Sequence, residues 1–233
     1  MADARASERI DQHAQRYDDE LNRGLRISGE TKDFFAERRI AWLATCCEQL
    51  SFRPRTVLDY GCGIGGATTL LFRHLGASSV IGLDVSSASL EIARRTNGEL
   101  ATRYLAPGEY TPDGSVDLVY LNGVFHHIPL QERRSAVGFI AECLRRDGLL
   151  AFWENNPLNP GTRYVMSRIP FDKDAITIRS GEAKSLLRSE GFEVINTDYH
   201  FIFPRAFKLL RGLEPYLARV PIGAQYQILC RRK

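Results

Sequence analysis

The chain has 233 residues, of which 44% are hydrophobic and 25% charged, the balance of a soluble α/β domain with a substantial core and at most two small domains. A net charge of +3 is too small to point to a nucleic-acid or membrane partner. The charge is uneven, however: residues 155–233 carry 13 Lys and Arg against 7 Asp and Glu, and the first 154 carry 18 against 21. The basic C-terminal third suits a solvated face better than a dedicated site for an anionic acceptor. Five cysteines, with no C-x-x-C pair and no His/Cys cluster at metal-ligand spacing, read as reduced thiols with no metal centre. The polar start MADARASERIDQ is not a signal peptide, and no apolar run is long enough to span a bilayer. A cytoplasmic protein is therefore expected, a monomer or homodimer acting on a small molecule, with no nucleic-acid or membrane partner.

Residues 5–22 and 31–50 have helical apolar spacing and are joined by RGLRISGE, where Gly24 and Gly29 interrupt and Ser28 is placed to cap the second helix. The vicinal pair Cys46-Cys47 lies in that helix and reads as packing. From residue 56 the pattern changes. TVLDY (56–60) is a short strand, ATTLLFRHLG (67–76) a helix ended by Gly76, SVIGLDVS (79–86) a strand, and SASLEIARRTNG (87–98) a helix. A weaker strand at 102–105 precedes a buried strand at 116–123, a helix at 129–146 and a strand at 148–155. A helix at 180–192 is followed by strands at 193–203 and 224–232, which could pair antiparallel, with a helical segment at 204–223 between them. The alternation predicts an α/β fold: a Rossmann-like doubly wound sheet, mostly parallel with an antiparallel edge strand, plus N-terminal helices and a helical insertion before the last strand.

VLDYGCGIGG (57–66) contains two glycine spacings. Gly61, Gly63 and Gly66 spell G-x-G-x-x-G, while Gly61, Gly63 and Gly65 spell G-x-G-x-G. Either lets the turn tighten and its amides approach a ligand, and either accommodates Asp84, an acid placed to take two ribose hydroxyls. Asp59 separates them. A carboxylate at the mouth of the turn repels a pyrophosphate and suits a ligand with a cationic group beside it. S-adenosylmethionine (SAM), with an α-ammonium and a sulfonium and no phosphate, is such a ligand; Gly66 is then a helix-packing residue. An oxidoreductase on the same sheet is the first rival, disfavoured by Asp59 and by the lack of a Tyr-x-x-x-Lys pair.

VLDYGCGIGG, IGLDVS, DLVYLNGVFHHIP and LRRDGLLAFWENN, in that order over residues 55–155, resemble the successive motifs of class I SAM-dependent methyltransferases. They are most similar to the small-molecule branch that includes ubiquinone and menaquinone methyltransferases. The resemblance implies a SAM-binding domain over 51–233, with acceptor-shaping insertions at about 155–175 and 204–223, beneath a helical lid over 1–50. It implies cofactor contacts from Asp59, Gly61, Cys62 and Gly63, from Asp84 to the ribose, from Val85 near the adenine, and from Asn122 and His127 at the transfer site. Tyr17 sits where the family often has a lid tyrosine approaching the cofactor. The usual acid after the third strand has no counterpart here, and Glu109 or a backbone group is the candidate substitute.

Methyl transfer to a hydroxyl or amine needs a base, and His126 with Glu154 at the end of the fifth long strand supplies the residue types for one. A carboxylate acceptor needs none. Arg26, Asn155, Arg163, Tyr164, His200 and Tyr226 are the candidate acceptor contacts, with Arg168 beside them. The expected activity is methyl transfer from SAM to an oxygen or nitrogen of a small biosynthetic intermediate. The alternatives are a methyltransferase-fold protein with a regulatory or cyclase role and, less favoured by the near-neutral charge, methylation of RNA or protein.

Overall fold

The computed structural model describes residues 17–172 and 175–233. The start of the first predicted helix, residues 5–16, lies outside the described residues. The described chain opens with α1 (Tyr17–Leu25), a 3₁₀ turn (Arg26–Ser28) and α2 (Lys32–Gln49). The cap of α2 is Thr31, whose hydroxyl accepts from the Phe34 amide at 3.4 Å. Ser28, the expected cap, instead donates to the Leu25 carbonyl at 2.7 Å and so closes the preceding turn.

Seven strands follow: β1 (Thr56–Tyr60), β2 (Ser79–Leu83), β3 (Thr102–Leu105), β4 (Val116–Asn122), β5 (Leu144–Asn155), β6 (Phe192–His200) and β7 (Gln225–Arg232). They form one sheet in the order β3-β2-β1-β4-β5-β7-β6. The first five are parallel; β7 runs antiparallel to both β5 and β6, so the reversed strand lies one place in from the edge. Between the strands lie α3 (Thr68–Leu75), α4 (Ser87–Asn97), α5 (Arg133–Cys143), α6 (Pro160–Met166) and α7 (Ser180–Ser189); α8 (Glu214–Leu217) follows a 3₁₀ segment (Arg205–Leu213).

The central strands read as nearly continuous apolar runs because both sheet faces are covered. Leu58, Val119, Leu150 and Phe152 point to one face, where Val137 and Ile140 of α5 and Leu187 of α7 meet them. Val57, Leu118, Ala151 and Trp153 point to the other, against Ile40 and Leu43 of α2 and Leu71 of α3. Cys46 and Cys47 are buried in this second layer, and burial pushes both thiols up to about 12, which makes them packing groups. The chain runs outward from β1 through β2 to β3, then returns to β4 on the other side of β1. The carboxyl ends of β1 and β4 therefore flank the crevice where a doubly wound sheet receives its ligand.

Candidate active site

A cavity of about 930 Å³ lies at these strand ends. One end of it is made by the glycine turn. The amides of Gly61 and Cys62 both donate to the Leu83 carbonyl, at 2.7 and 3.0 Å, which folds the turn against the end of β2. Gly61 has φ +76°, and a Cβ there would stand 2.3 Å from Val124 Cγ2, so the β1 and β4 loops meet only because this residue has no side chain. Gly63 has φ +51° and nothing within 4 Å of the position a Cβ would take; that open space belongs to the cavity, which Gly61 and Gly63 both line.

Asp84 follows β2 and is aimed at the turn by two amides: one carboxylate oxygen accepts from Gly63 at 2.7 Å and the other from Ser86 at 2.9 Å. Val85 lines the cavity and is partly exposed. Cys62, by contrast, packs its side chain with Leu90, Ala93 and Tyr104 and has already committed its amide to Leu83; it is not part of the cavity lining. Gly66 is exposed with open space around it, whereas a Cβ on Gly65 would meet Asn97, Tyr104 and Ala93 at 2.6–3.1 Å. The helix-packing glycine is Gly65, not Gly66.

Two buried acceptors near this end have no partner: Asn122 Oδ1, in the cavity wall, and Asp59 Oδ2, beneath it. Burial and then the neighbouring charge of Asp84 push the Asp59 carboxyl up to about 7, while Arg39 opposes the shift. Unpaired buried acceptors beside an open glycine cradle fit a ligand that brings hydrogen-bond donors and positive charge, as the ammonium end of SAM does. Glu109 turns away: its carboxylate accepts from the Ala106 amide at 2.8 Å and caps its own 3₁₀ turn, leaving Pro107 in the wall.

The other end of the cavity is built from side chains. The 3₁₀ turn Phe125–His127 after β4 brings His126 against Glu154 of β5, with Nδ1 2.7 Å from Oε2. Glu154 Oε1 accepts from the Phe125 amide at 2.7 Å, so the carboxylate holds both the ring and the turn that carries it. Asp172 completes the group: its Oδ1 lies 3.4 Å from Nε2 of both His126 and His127. His126, Glu154 and Asp172 are all buried. Burial by itself would discharge His126; the charge of Glu154 and then the Asp172 contact outweigh it and push the imidazole up to about 10. The same pairing, against the opposing effect of burial, holds Glu154 below the usual carboxylate range.

Asn155 lines the cavity, its side-chain oxygen accepting from Gln225 at 3.0 Å. The structure does not bring the other predicted acceptor residues to the wall. Arg163 and Tyr164 lie on the exposed side of α6, where Tyr164 stacks with Arg168 at 5.0 Å, while Thr162, Val165 and Met166 of the same helix face the cavity. His200 is wedged between the rings of Trp42 and Trp153, at 4.7 and 5.0 Å, and burial pushes it down to about 4, so it packs as a neutral aromatic. Tyr226 is fully buried and donates its hydroxyl to the Ile178 carbonyl. Arg26 is exposed and is not among the lining residues, and the side chain of Tyr17 lies outside the described residues.

Sequence reasoning missed Asp172, which carries no motif, and the apolar wall made by Phe34 and Phe35 of α2, Met166 and Ile169, and Phe201 to Phe203. The spacing 162, 165/166 marks the inward face of α6, continued by Ile169 just beyond it, and was the available signal; residue chemistry pointed to the outward one.

A family model described as a methyltransferase domain matches residues 57–148. Together with the open glycine turn and the four ordered motifs, that match decides the assignment. Residues 57–148 thus carry a methyltransferase domain of the SAM-dependent kind. The chain is an enzyme of that kind, and its cofactor is SAM. It is similar to a trans-aconitate 2-methyltransferase of Methylobacterium radiotolerans, 40% identical over 76 residues, covering 33% of this chain and 29% of that relative. A trans-aconitate 2-methyltransferase of Acidovorax is 25% identical over 72% of each chain. Among solved structures, a SAM-dependent methyltransferase of Thermotoga maritima, described as a possible histamine N-methyltransferase, shares the fold with a TM-score of 0.66. It is 20% identical, over 96% of this chain and 100% of that one.

Proposed function

We propose that this methyltransferase transfers the methyl group of SAM to an oxygen of a small-molecule acceptor that enters already ionised, a carboxylate above all. The observation that carries the reading is the placement of His126 between two buried carboxylates, in a cavity shared with the glycine turn. Held between Glu154 and Asp172 and pushed up to about 10, it keeps its proton at neutral pH. An imidazolium with both nitrogens facing carboxylates is a fixed positive group and not a ready base. An ionised oxygen is a nucleophile that needs no base. The curated relatives named for trans-aconitate, a polycarboxylate, support the same acceptor class.

When bound, SAM supplies an electrophilic methyl group, and the chain's task is alignment and exclusion of water. Asp84 takes the ribose hydroxyls while Gly61 and Gly63 leave room for the aminoacyl end; Asn122 and Asp59 face its ammonium. His127 and Asn155 border the methyl-transfer point, and His126 positions the wall there. Residues 17–50 act as the lid, since Leu21, Leu25, Phe34 and Phe35 close the cavity from the N-terminal side.

The test is transfer from methyl-labelled SAM to a panel of polycarboxylates including trans-aconitate, phenols, alcohols and amines. Formation of base-labile methyl esters is the expected result. Transfer confined to amines or neutral hydroxyls sinks the ionised-oxygen reading, and SAM binding without transfer to any acceptor favours a non-methylating role.

A further inference from the structure

The 3₁₀ segment Arg205–Leu213, RAFKLLRGL, contains five apolar residues and buries none of its nine. Helical segments of globular proteins bury their apolar stripe; one that does not is unfinished by its own fold. Leu209 is 91% exposed and Tyr216, just beyond, 85%. Ile27 is exposed beside them, because Arg205 reaches the Gly29 carbonyl and Arg211 pairs with Glu30 at 2.9 Å while stacking on Phe34. Ile222 is exposed at another point of the cavity margin, where its carbonyl accepts from the cavity-lining Asn159 at 2.7 Å.

The rim formed by Ile27 and the 205–213 segment is continuous with the cavity mouth: Ile27, Phe203, Pro204 and Arg211 line the cavity wall. Its charge has one sign. Arg205 and Lys208 are exposed, and neither has a carboxylate within ion-pair distance among the described residues. The acid that follows the segment, Glu214 at the start of α8, is turned inward and accepts from the amides of Ile202 and Phe203. A symmetric contact of this segment with a second copy would bring cations from both sides and no free acid of its own to neutralise them. Apolar side chains among unpaired cations match an anionic lipid surface, into which the former insert while the latter meet headgroups.

We propose that the rim formed by Ile27, the 205–213 segment and Tyr216 docks on an anionic bilayer surface and presents the cavity mouth to acceptors held at that interface. No helix among the described residues is long and apolar enough to cross a membrane, so the attachment is peripheral. This departs from the sequence expectation of no membrane partner, which rested on net charge. It does not depend on which acceptor atom is methylated.

The experiment is co-sedimentation of the full chain with vesicles of phosphatidylcholine alone and of phosphatidylcholine mixed with phosphatidylglycerol. Binding to the mixed vesicles that weakens with added salt is expected. The double variant Leu209→Asp/Tyr216→Asp should lower partitioning about tenfold or more, and Lys208→Glu several-fold. Both should keep the SAM affinity of the parent, because none of these residues lines the cavity. No preference for the phosphatidylglycerol vesicles, or undiminished binding by the double variant, overturns the proposal. So does a dimer in sedimentation equilibrium that Leu209→Asp abolishes, because the rim would then belong to a second copy.

Discussion

The two ends of the cavity are built by different means. The end proposed for the cofactor is backbone: a glycine turn tied to the Leu83 carbonyl, an acid oriented by two amides, and a loop approach that a single Cβ would block. The end proposed for the acceptor is side chain: a buried histidine between two carboxylates, surrounded by apolar groups from α2, α6 and the 201–204 loop. Backbone sites tolerate change at most of their side chains but not at their glycines. A buried charge cluster depends on each of its members.

That contrast is broken most directly at Glu154. Glu154→Gln removes the negative charge 2.7 Å from His126 Nδ1, and breaking a buried ion pair from one side costs about 3–5 kcal/mol of stability. Thermal unfolding reads it, and an unchanged midpoint would mean that the cluster is not held by this charge. The pH profile provides a second readout. With His126 raised to about 10 from 6.5, the folded state binds the extra proton between those values. That stabilisation is therefore complete below pH 6.5 and lost as pH rises toward 10. Glu154, lowered, contributes above its unfolded value of 4.5 and loses its contribution as pH falls below it. The variant should flatten both limbs.

On the backbone side, Gly61→Ala meets Val124 at 2.3 Å with φ at +76°, an expected loss of about 2–4 kcal/mol from strain and overpacking combined. Gly63→Ala carries only the backbone strain, about 1–2 kcal/mol, yet its methyl enters the cavity; calorimetry should find SAM binding weakened by more than stability is. Equal behaviour of the two variants would remove the distinction drawn between them. Asp84→Ala should weaken SAM binding by about 1.5–3 kcal/mol, and undiminished affinity would detach this acid from the ribose. The smallest effect concerns Asp59. As pH rises through about 7 its carboxyl ionises, so affinity for the cationic cofactor should climb by up to about tenfold, and Asp59→Asn should abolish the climb.

Legibility followed the same division. Turn geometry and strand periodicity are local properties, so the positions of Gly61, Gly63 and Asp84, and most strand limits, could be read from the chain. Even there, deciding that Gly65 packs against α4 while Gly66 faces solvent required the neighbours Asn97 and Tyr104, which are more than 30 residues away. The acceptor end depended on such distances throughout. His126 and Glu154 could be paired from their strand ends, but Asp172 joins them through an irregular segment without a motif. Arg163 and Tyr164 have the chemistry of acceptor ligands and the wrong side of α6. His200 and Tyr226 lie on strands whose sides are set by the antiparallel β6–β7 pairing.

The sequence by itself determined the sheet, the glycine turn, the acid that faces it and hence the cofactor, because each depends on a few residues and a period. Only the tertiary structure decided which carboxylates surround His126, which side chains wall the cavity and where the apolar rim lies outside it. Those depend on burial and on groups brought together across the chain, and neither quantity belongs to any stretch of sequence.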